Sequence, residues 1–148
     1  MIGLLQRVTE AHVDVGSERV AAIGAGLLVL ACVERDDTEA QAERLAERIV
    51  GYRVFGDEAG RLNLSLADTG GGLLLVPQFT LAADTRKGMR PGLGRSAPPD
   101  RGRALFAHLA EAARRRHEKV ECGCFGAHMQ VGLVNDGPVT FWLEAHPG

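Results

Sequence analysis

The chain has 148 residues, 45% hydrophobic and 24% charged, with a formal net charge of −2. One domain covering residues 1–148 is the expectation, long enough to bury a core without disulfides or a structural metal, and a charge this close to neutrality excludes a global attraction to nucleic acid. Three cysteines, Cys32, Cys122 and Cys124, make an odd count, and the Cys122-Gly123-Cys124 spacing lacks the second pair of a zinc site. Reduced thiols, no metal and no cofactor are therefore expected.

The first residues, Met1-Ile2-Gly3-Leu4-Leu5-Gln6-Arg7, carry no basic region or cleavage site. The longest apolar run, Gly24 to Val33, is half a membrane span, so a cytoplasmic location with no membrane partner is expected. Gly3 to Val15 is rich in β-branched and aliphatic residues and stops at Gly16-Ser17; with Arg19 to Ile23 it reads as a hairpin. Leu27 to Val33 is an uninterrupted apolar run of strand length, which predicts a central strand buried on both faces.

Thr38 with Gln41 forms a capping box, and Ala42, Leu45, Ala46, Ile49 and Val50 follow at helical spacing, which predicts a helix over Thr38 to Val50 ended by Gly51. Tyr52 to Phe55 and Leu62 to Leu66 read as a second hairpin around Gly56-Asp57-Glu58-Ala59-Gly60. Leu73 to Leu81 reads as a buried strand whose Pro77 belongs at an edge, a bulge or the strand's end. A Gly-, Pro- and Arg-rich loop, Ala82 to Pro99, is long enough to suggest a functional role. Asp100 is the expected N-cap of a second helix reaching about Arg116, with Arg114-Arg115-Arg116 favourably placed at its C-terminal end. Lys119 to Cys124, Met129 to Val134 and Val139 to Glu144 read as strands, the last two joined by a turn at Asn135-Asp136-Gly137-Pro138.

These elements predict an α+β fold with a mostly antiparallel, barrel-like sheet and two helices. Two helices cannot cover that much sheet, and an exposed apolar face is usually buried by a partner, so a homodimer is expected.

Ten of the seventeen Lys and Arg residues lie between Asp84 and Lys119, beside only four acids. Arg86, Lys87, Arg90 and Arg95 on the glycine-rich loop are the candidate phosphate contacts; a solvated face with helix-end charges is the alternative. No Gly-x-Ser-x-Gly elbow, His-x-x-x-His pair or phosphate loop is present, and the five histidines are scattered, with His108 on a helix face where a packed core histidine is expected. Two segments combine strand residues with extra chemistry. Gln78-Phe79-Thr80-Leu81 ends a hydrophobic run with an amide and a hydroxyl, near where exposed backbone N–H groups would lie, although an ordinary strand end reads the same way. Asn135-Asp136-Gly137-Pro138-Val139-Thr140 reads as a hairpin turn, with an X-Pro bond of the kind that adopts the cis form.

At these two segments the chain resembles the D-aminoacyl-tRNA deacylase family, whose signatures are Ser-Gln-Phe-Thr-Leu and Asn-x-Gly-Pro-Val-Thr. The likeness extends through Gln6-Arg7-Val8, Gly24-Ala25-Gly26-Leu27, Gly51-Tyr52-Arg53-Val54-Phe55, Met89-Arg90-Pro91 and Met129-Gln130-Val131. Pro77 stands where the family usually has serine, which bears on substrate range.

The resemblance implies a homodimer with active sites at the interface, acting on D-aminoacyl-tRNA and, through the same pocket, on glycyl-tRNA; DNA is not an expected partner. Gln78, Phe79 and Thr80 are the implied catalytic segment, with backbone N–H groups near Phe79 and Thr80 as oxyanion donors and Thr80 as a positioning group beside the substrate's 2′-hydroxyl. Gly137 and Pro138, entering from the other subunit through a cis bond, would exclude L side chains by their carbonyls. Arg7 would support that motif, with Asn135 at its start. Two other readings remain open: an editing deacylase for small L-aminoacyl-tRNA, and a tRNA-binding protein without catalysis.

Overall fold

A computed structural model of the protein describes residues 1–146; the last two positions of the expected 1–148 domain lie outside the described residues. The aliphatic stretch at the N-terminus folds as β1 (Ile2–Val15), β2 (Glu18–Ile23) and β3 (Gly26–Cys32). The turn between β1 and β2 is made by Gly16 at φ 59°, a conformation that side chains with a Cβ disfavour. β1 pairs antiparallel with β3 over its first half and with β2 over its second. Along its other edge it pairs throughout with β8 (Gln130–Glu144).

Helix α1 (Glu39–Gly51) starts where the capping box predicts, with the Thr38 side chain accepting from Ala40 and Gln41 reaching back to the Thr38 amide. Gly51 is its last residue rather than the stop after it, and Tyr52 caps the end in extended geometry. The expected second hairpin shrinks to β4 (Phe55–Gly56) and β5 (Leu62–Leu64), a separate two-stranded ribbon. Leu66 lies outside it, in a third helix, α2 (Leu66–Thr69), capped by Ser65 and Asp68 in a reciprocal pair of hydrogen bonds. The Ser65-Leu66-Ala67-Asp68 spacing carried that capping signal.

β6 (Gly72–Pro77) and β7 (Val120–Cys122) complete the main sheet, whose order is β2-β1-β3-β6-β7 with β8 on the far edge of β1. β3, β6 and β7 run parallel, so the sheet is mixed rather than mostly antiparallel. The reason lies in the connections: α1 follows β3, and α3 (Pro99–Arg116) follows β6, and each helical crossover returns the chain in its original direction. β2 also approaches β6 and β7, so the sheet curls into a nearly closed barrel.

Both faces of the central strands are buried, as the continuous apolar runs predict. Leu27, Val29, Leu73 and Leu75 pack against Leu45 and Ile49 of α1 and Leu105 and Leu109 of α3. Their neighbours Leu28, Leu74 and Val76 point the other way, into the curl, where Val8, Ala11, Val13, Val131 and Leu133 meet them. The close approach of β3 to β6 is set by two glycines in register, Gly26 and Gly72.

α3 begins two residues earlier than the acidic cap suggests. Pro98 occupies the cap and Pro99 the first helical position, where a proline's fixed φ and missing N–H cost nothing, and Asp100 lies inside the first turn. His108 is not a core residue: it is half-buried with its Nε2 3.0 Å from Glu43. Among the described residues no helix is long and apolar enough to cross a membrane.

Candidate active site

β6 stops at Pro77, and the segment expected to extend it to Leu81 instead forms a 3-10 turn over Phe79–Ala82. The register explains both facts. Gln78 still donates to Ala31 O at 2.8 Å across β3, while Gly123 donates to Leu75 O on the β7 side. In a parallel strand alternate residues face alternate neighbours, so position 77 faces β7 beyond its last pair, Leu75 with Cys122. A proline there forfeits no ladder hydrogen bond.

The turn presents its backbone to solvent. Phe79 is 56% exposed despite its size, and among the described residues neither the Phe79 nor the Thr80 N–H has an acceptor. First-turn amides of any helix are unpaired in this way, and two adjacent ones form a ready anion or oxyanion site. The Phe79 carbonyl is held from behind: Ser96 Oγ donates to it at 3.0 Å and the Cys32 thiol at 3.4 Å. Burial pushes the Cys32 thiol up to about 11, so it stays neutral as this donor. The Gln78 side-chain amide donates to the Thr80 hydroxyl, and among the described residues no carboxylate or imidazole joins them.

Beside the turn lies a cavity of about 560 Å³, lined in part by Gln78, Phe79, Ser96, Phe125, His128 and Met129. That size suits a nucleoside-like ligand. Among the described residues His128 is the one titratable side chain in its lining. Phe125, Ser96, Cys32 and His128 were not among the residues singled out from sequence for catalysis. They come from segments distant in sequence that the sheet brings to one place.

The second signature lies elsewhere on the chain. Residues 130–144 form one continuous strand, not two joined by a hairpin turn, because β1 pairs with it on both sides of an excursion. Val8 is opposite Asn135 and Gln6 opposite Thr140, so the residues between are pushed outward. The Asn135 side chain closes this excursion at its base, donating to Arg7 O at 2.9 Å and Val139 O at 3.1 Å and accepting from Thr140 Oγ1 at 3.2 Å. The Gly137-Pro138 peptide bond is cis, and Gly137 has φ 139°. Arg7 reaches up from β1, its Nε 3.0 Å from Asp136 O and its Nη1 3.0 Å from Val54 O. Gly137 and Pro138 do not line the cavity beside Phe79.

The four basic residues of the loop divide into two kinds. Arg86 forms a close pair with Asp84, whose carboxyl it holds well below the usual carboxylate range, and Arg95 pairs with Glu34 at 3.0 Å. Lys87 and Arg90 have no ion-pair partner among the described residues. Met89 between them is 99% exposed.

The curled mixed sheet thus carries an open cavity with two unpaired main-chain donors at its edge. The family model described as D-Tyr-tRNA(Tyr) deacylase matches residues 4–144. A D-aminoacyl-tRNA deacylase of Thioalkalivibrio sulfidiphilus is 69% identical over 147 residues, covering 99% of each chain. Another, from Stutzerimonas stutzeri, is 59% identical and covers 98% of this chain and all of the relative. Among solved structures, the c-Myc DNA Unwinding Element Binding Protein superposes with a TM-score of 0.94 at 37% identity, over 99% of this chain and 100% of that one. A probable eukaryotic D-amino acid tRNA deacylase shares the fold, with a TM-score of 0.80 at 18% identity over 97% of this chain and 98% of that one. The chain belongs to the D-Tyr-tRNA(Tyr) deacylase family.

Proposed function

We propose that this protein hydrolyses the ester of D-aminoacyl-tRNA, and of glycyl-tRNA, to free amino acid and tRNA. The observation that carries the chemistry is the pair of unpaired amides at Phe79 and Thr80 beside the cavity. Water adds to the ester carbonyl, and its oxygen, now anionic, accepts from those amides; the carbon–oxygen bond to the ribose then breaks and the 3′-oxygen leaves with a proton. A preorganised donor of this kind contributes about 10²–10³-fold to rate. Thr80 has no base to activate it, so it positions the ester while the neighbouring 2′-hydroxyl assists proton movement. Pro77 leaves this arrangement intact, because the register asks nothing of its missing N–H.

Selectivity is assigned to the Gly137-Pro138 excursion, held by Arg7 and Asn135. Because it does not line the cavity of its own chain, a second copy would have to supply it, and the exposed Val134 and Trp142 on the edge strand β8 suit such a contact. The functional unit is thus a homodimer of one-domain chains, at work in the cytoplasm where charged tRNA is found. Exclusion by backbone carbonyls rejects an L side chain and cannot reject glycine.

The test is hydrolysis of matched D- and L-aminoacyl-tRNA with purified protein. Rapid loss of the D form alone is the expected result. Loss of the L form points to an editing enzyme of shifted specificity, and loss of neither to a tRNA-binding protein; both overturn the proposal.

A further inference from the structure

A tRNA that places its terminal nucleoside in the cavity brings a phosphodiester to the cavity's mouth. Of the basic residues between Asp84 and Lys119, most are already engaged: Arg86 by Asp84, Arg95 by Glu34, Arg101 by the Asp37 carbonyl, Arg114 by Glu111, and Arg115 and Arg116 by Glu43. Lys87, Arg90, Lys119 and Arg103 have no ion pair among the described residues, and of these four Arg103 is the one stacked on a ring of the cavity lining. Its guanidinium lies over the Phe125 ring, 4.9 Å from the centroid.

We infer that Arg103 binds the phosphate that joins the terminal nucleotide to the one before it, a role that rests on the deacylase reading above. Phe125 and Gly126 line the cavity, and the Arg103 Nη2 comes within 3.4 Å of where a Cβ on Gly126 would sit. Gly126 is exposed and has φ 82°, so the loop at this point has no side chain to screen the guanidinium from the mouth. Gly102, next to Arg103 on α3, packs against the same ring, its Cβ position 3.2 Å from Phe125 Cζ, so the helix and the loop hold each other in register. Asp100, three residues earlier on the same helix, forms no ion pair with Arg103. A cation stacked on an aromatic ring, with its N–H edge free, is arranged to receive a phosphate oxygen.

The experiment compares two substrates, D-aminoacyl-tRNA and D-aminoacyl-adenosine, the second having the ester but no phosphate. Arg103→Gln should raise KM for the tRNA about fivefold, near the upper end of what an exposed ion pair contributes, with kcat moving less. The dependence of log(kcat/KM) on log salt should flatten by about 0.7, the value for one phosphate on a single strand. Arg103→Lys should restore much of the loss, and the penalty on the nucleoside ester should stay within about twofold. Equal penalties on both substrates would mean that Arg103 only braces the Phe125 loop, and no penalty on either would leave it a solvated charge; each overturns the inference. Wild-type protein inactive on both substrates would instead overturn the deacylase reading, and this inference with it.

Discussion

Arg7→Met removes the donor that tethers the Gly137-Pro138 excursion at Asp136 and a second donor to Val54, while keeping an apolar side chain of similar length. Two hydrogen bonds of 3.0 Å disappear, to Asp136 O and Val54 O. They are not equivalent. Asp136 is exposed and its carbonyl can turn to water, whereas Val54 is 1% exposed and its carbonyl is left with little else to accept from. An unsatisfied group of that kind costs about 1–3 kcal/mol, and each kcal/mol lowers Tm by about 2–4 °C at this chain length. The consequence for function is separate from stability. If the tether to Asp136 holds the excursion by about 1.4 kcal/mol, its loss raises the displaced population about tenfold. L-aminoacyl-tRNA hydrolysis should rise by a similar factor, while the D rate, which the proposal assigns to the Phe79 turn, should change less. Single-turnover deacylation of both stereoisomers measures the ratio, and thermal unfolding measures the rest. A D-to-L ratio unchanged in a variant whose Tm has fallen would refute the assignment of Arg7 to selectivity and leave it a structural residue.

Asn135→Ala removes all three hydrogen bonds at the base of the same excursion, and should reduce D-to-L selectivity in the same direction as Arg7→Met; in the double variant the two effects should fall short of adding, since both act on one element. Gly26→Ala should prevent accumulation of soluble protein, because its Cβ would lie 1.9 Å from the Gly72 carbonyl oxygen and the two paired strands cannot separate without breaking the ladder; normal expression and a wild-type Tm would contradict the register. Cys32 provides the pH prediction. Its thiol is raised by burial from 9.0 to about 11, so the folded form holds the proton longer than the unfolded one. Stability from this group is complete below pH 9 and falls as pH rises towards 11, by about 2–3 kcal/mol in all. Denaturation midpoints measured across that window should decline more steeply in wild type than in Cys32→Ala, and parallel curves would show that the thiol is not the group concerned.

Much of the architecture was legible because it rests on local chemistry. The Thr38 and Gln41 capping box lies where it should, and the apolar run through Leu27 to Cys32 became the doubly buried central strand. Other features depended on what lay across the sheet. The direction of β6 against β3 was misjudged although both are uninterrupted apolar runs, the pattern of doubly buried parallel strands; the crossovers through the helices set it. The short helix at Leu66 was missed although Ser65 and Asp68 signalled it, because Leu66, its first residue, was read as the end of the Leu62 to Leu66 strand. Of the candidate site, Gln78, Phe79 and Thr80 stood out by residue type. Their conformation did not, because Phe79 to Ala82 reads as strand by residue type, whereas the structure closes it into i→i+3 hydrogen bonds where β6 ends.

From the sequence alone came the start of α1 at its capping box, the two signature segments, and through them the family. Tertiary structure alone decided that Ser96 and Cys32 share the Phe79 carbonyl, that Arg86 and Arg95 are occupied by carboxylates, and that the Gly137-Pro138 excursion does not line its own chain's cavity. The physical reason is range. Capping and periodicity act within about one or two turns of chain, whereas a hydrogen bond between positions 47 residues apart, such as Cys32 to Phe79, exists only once the sheet has brought them together.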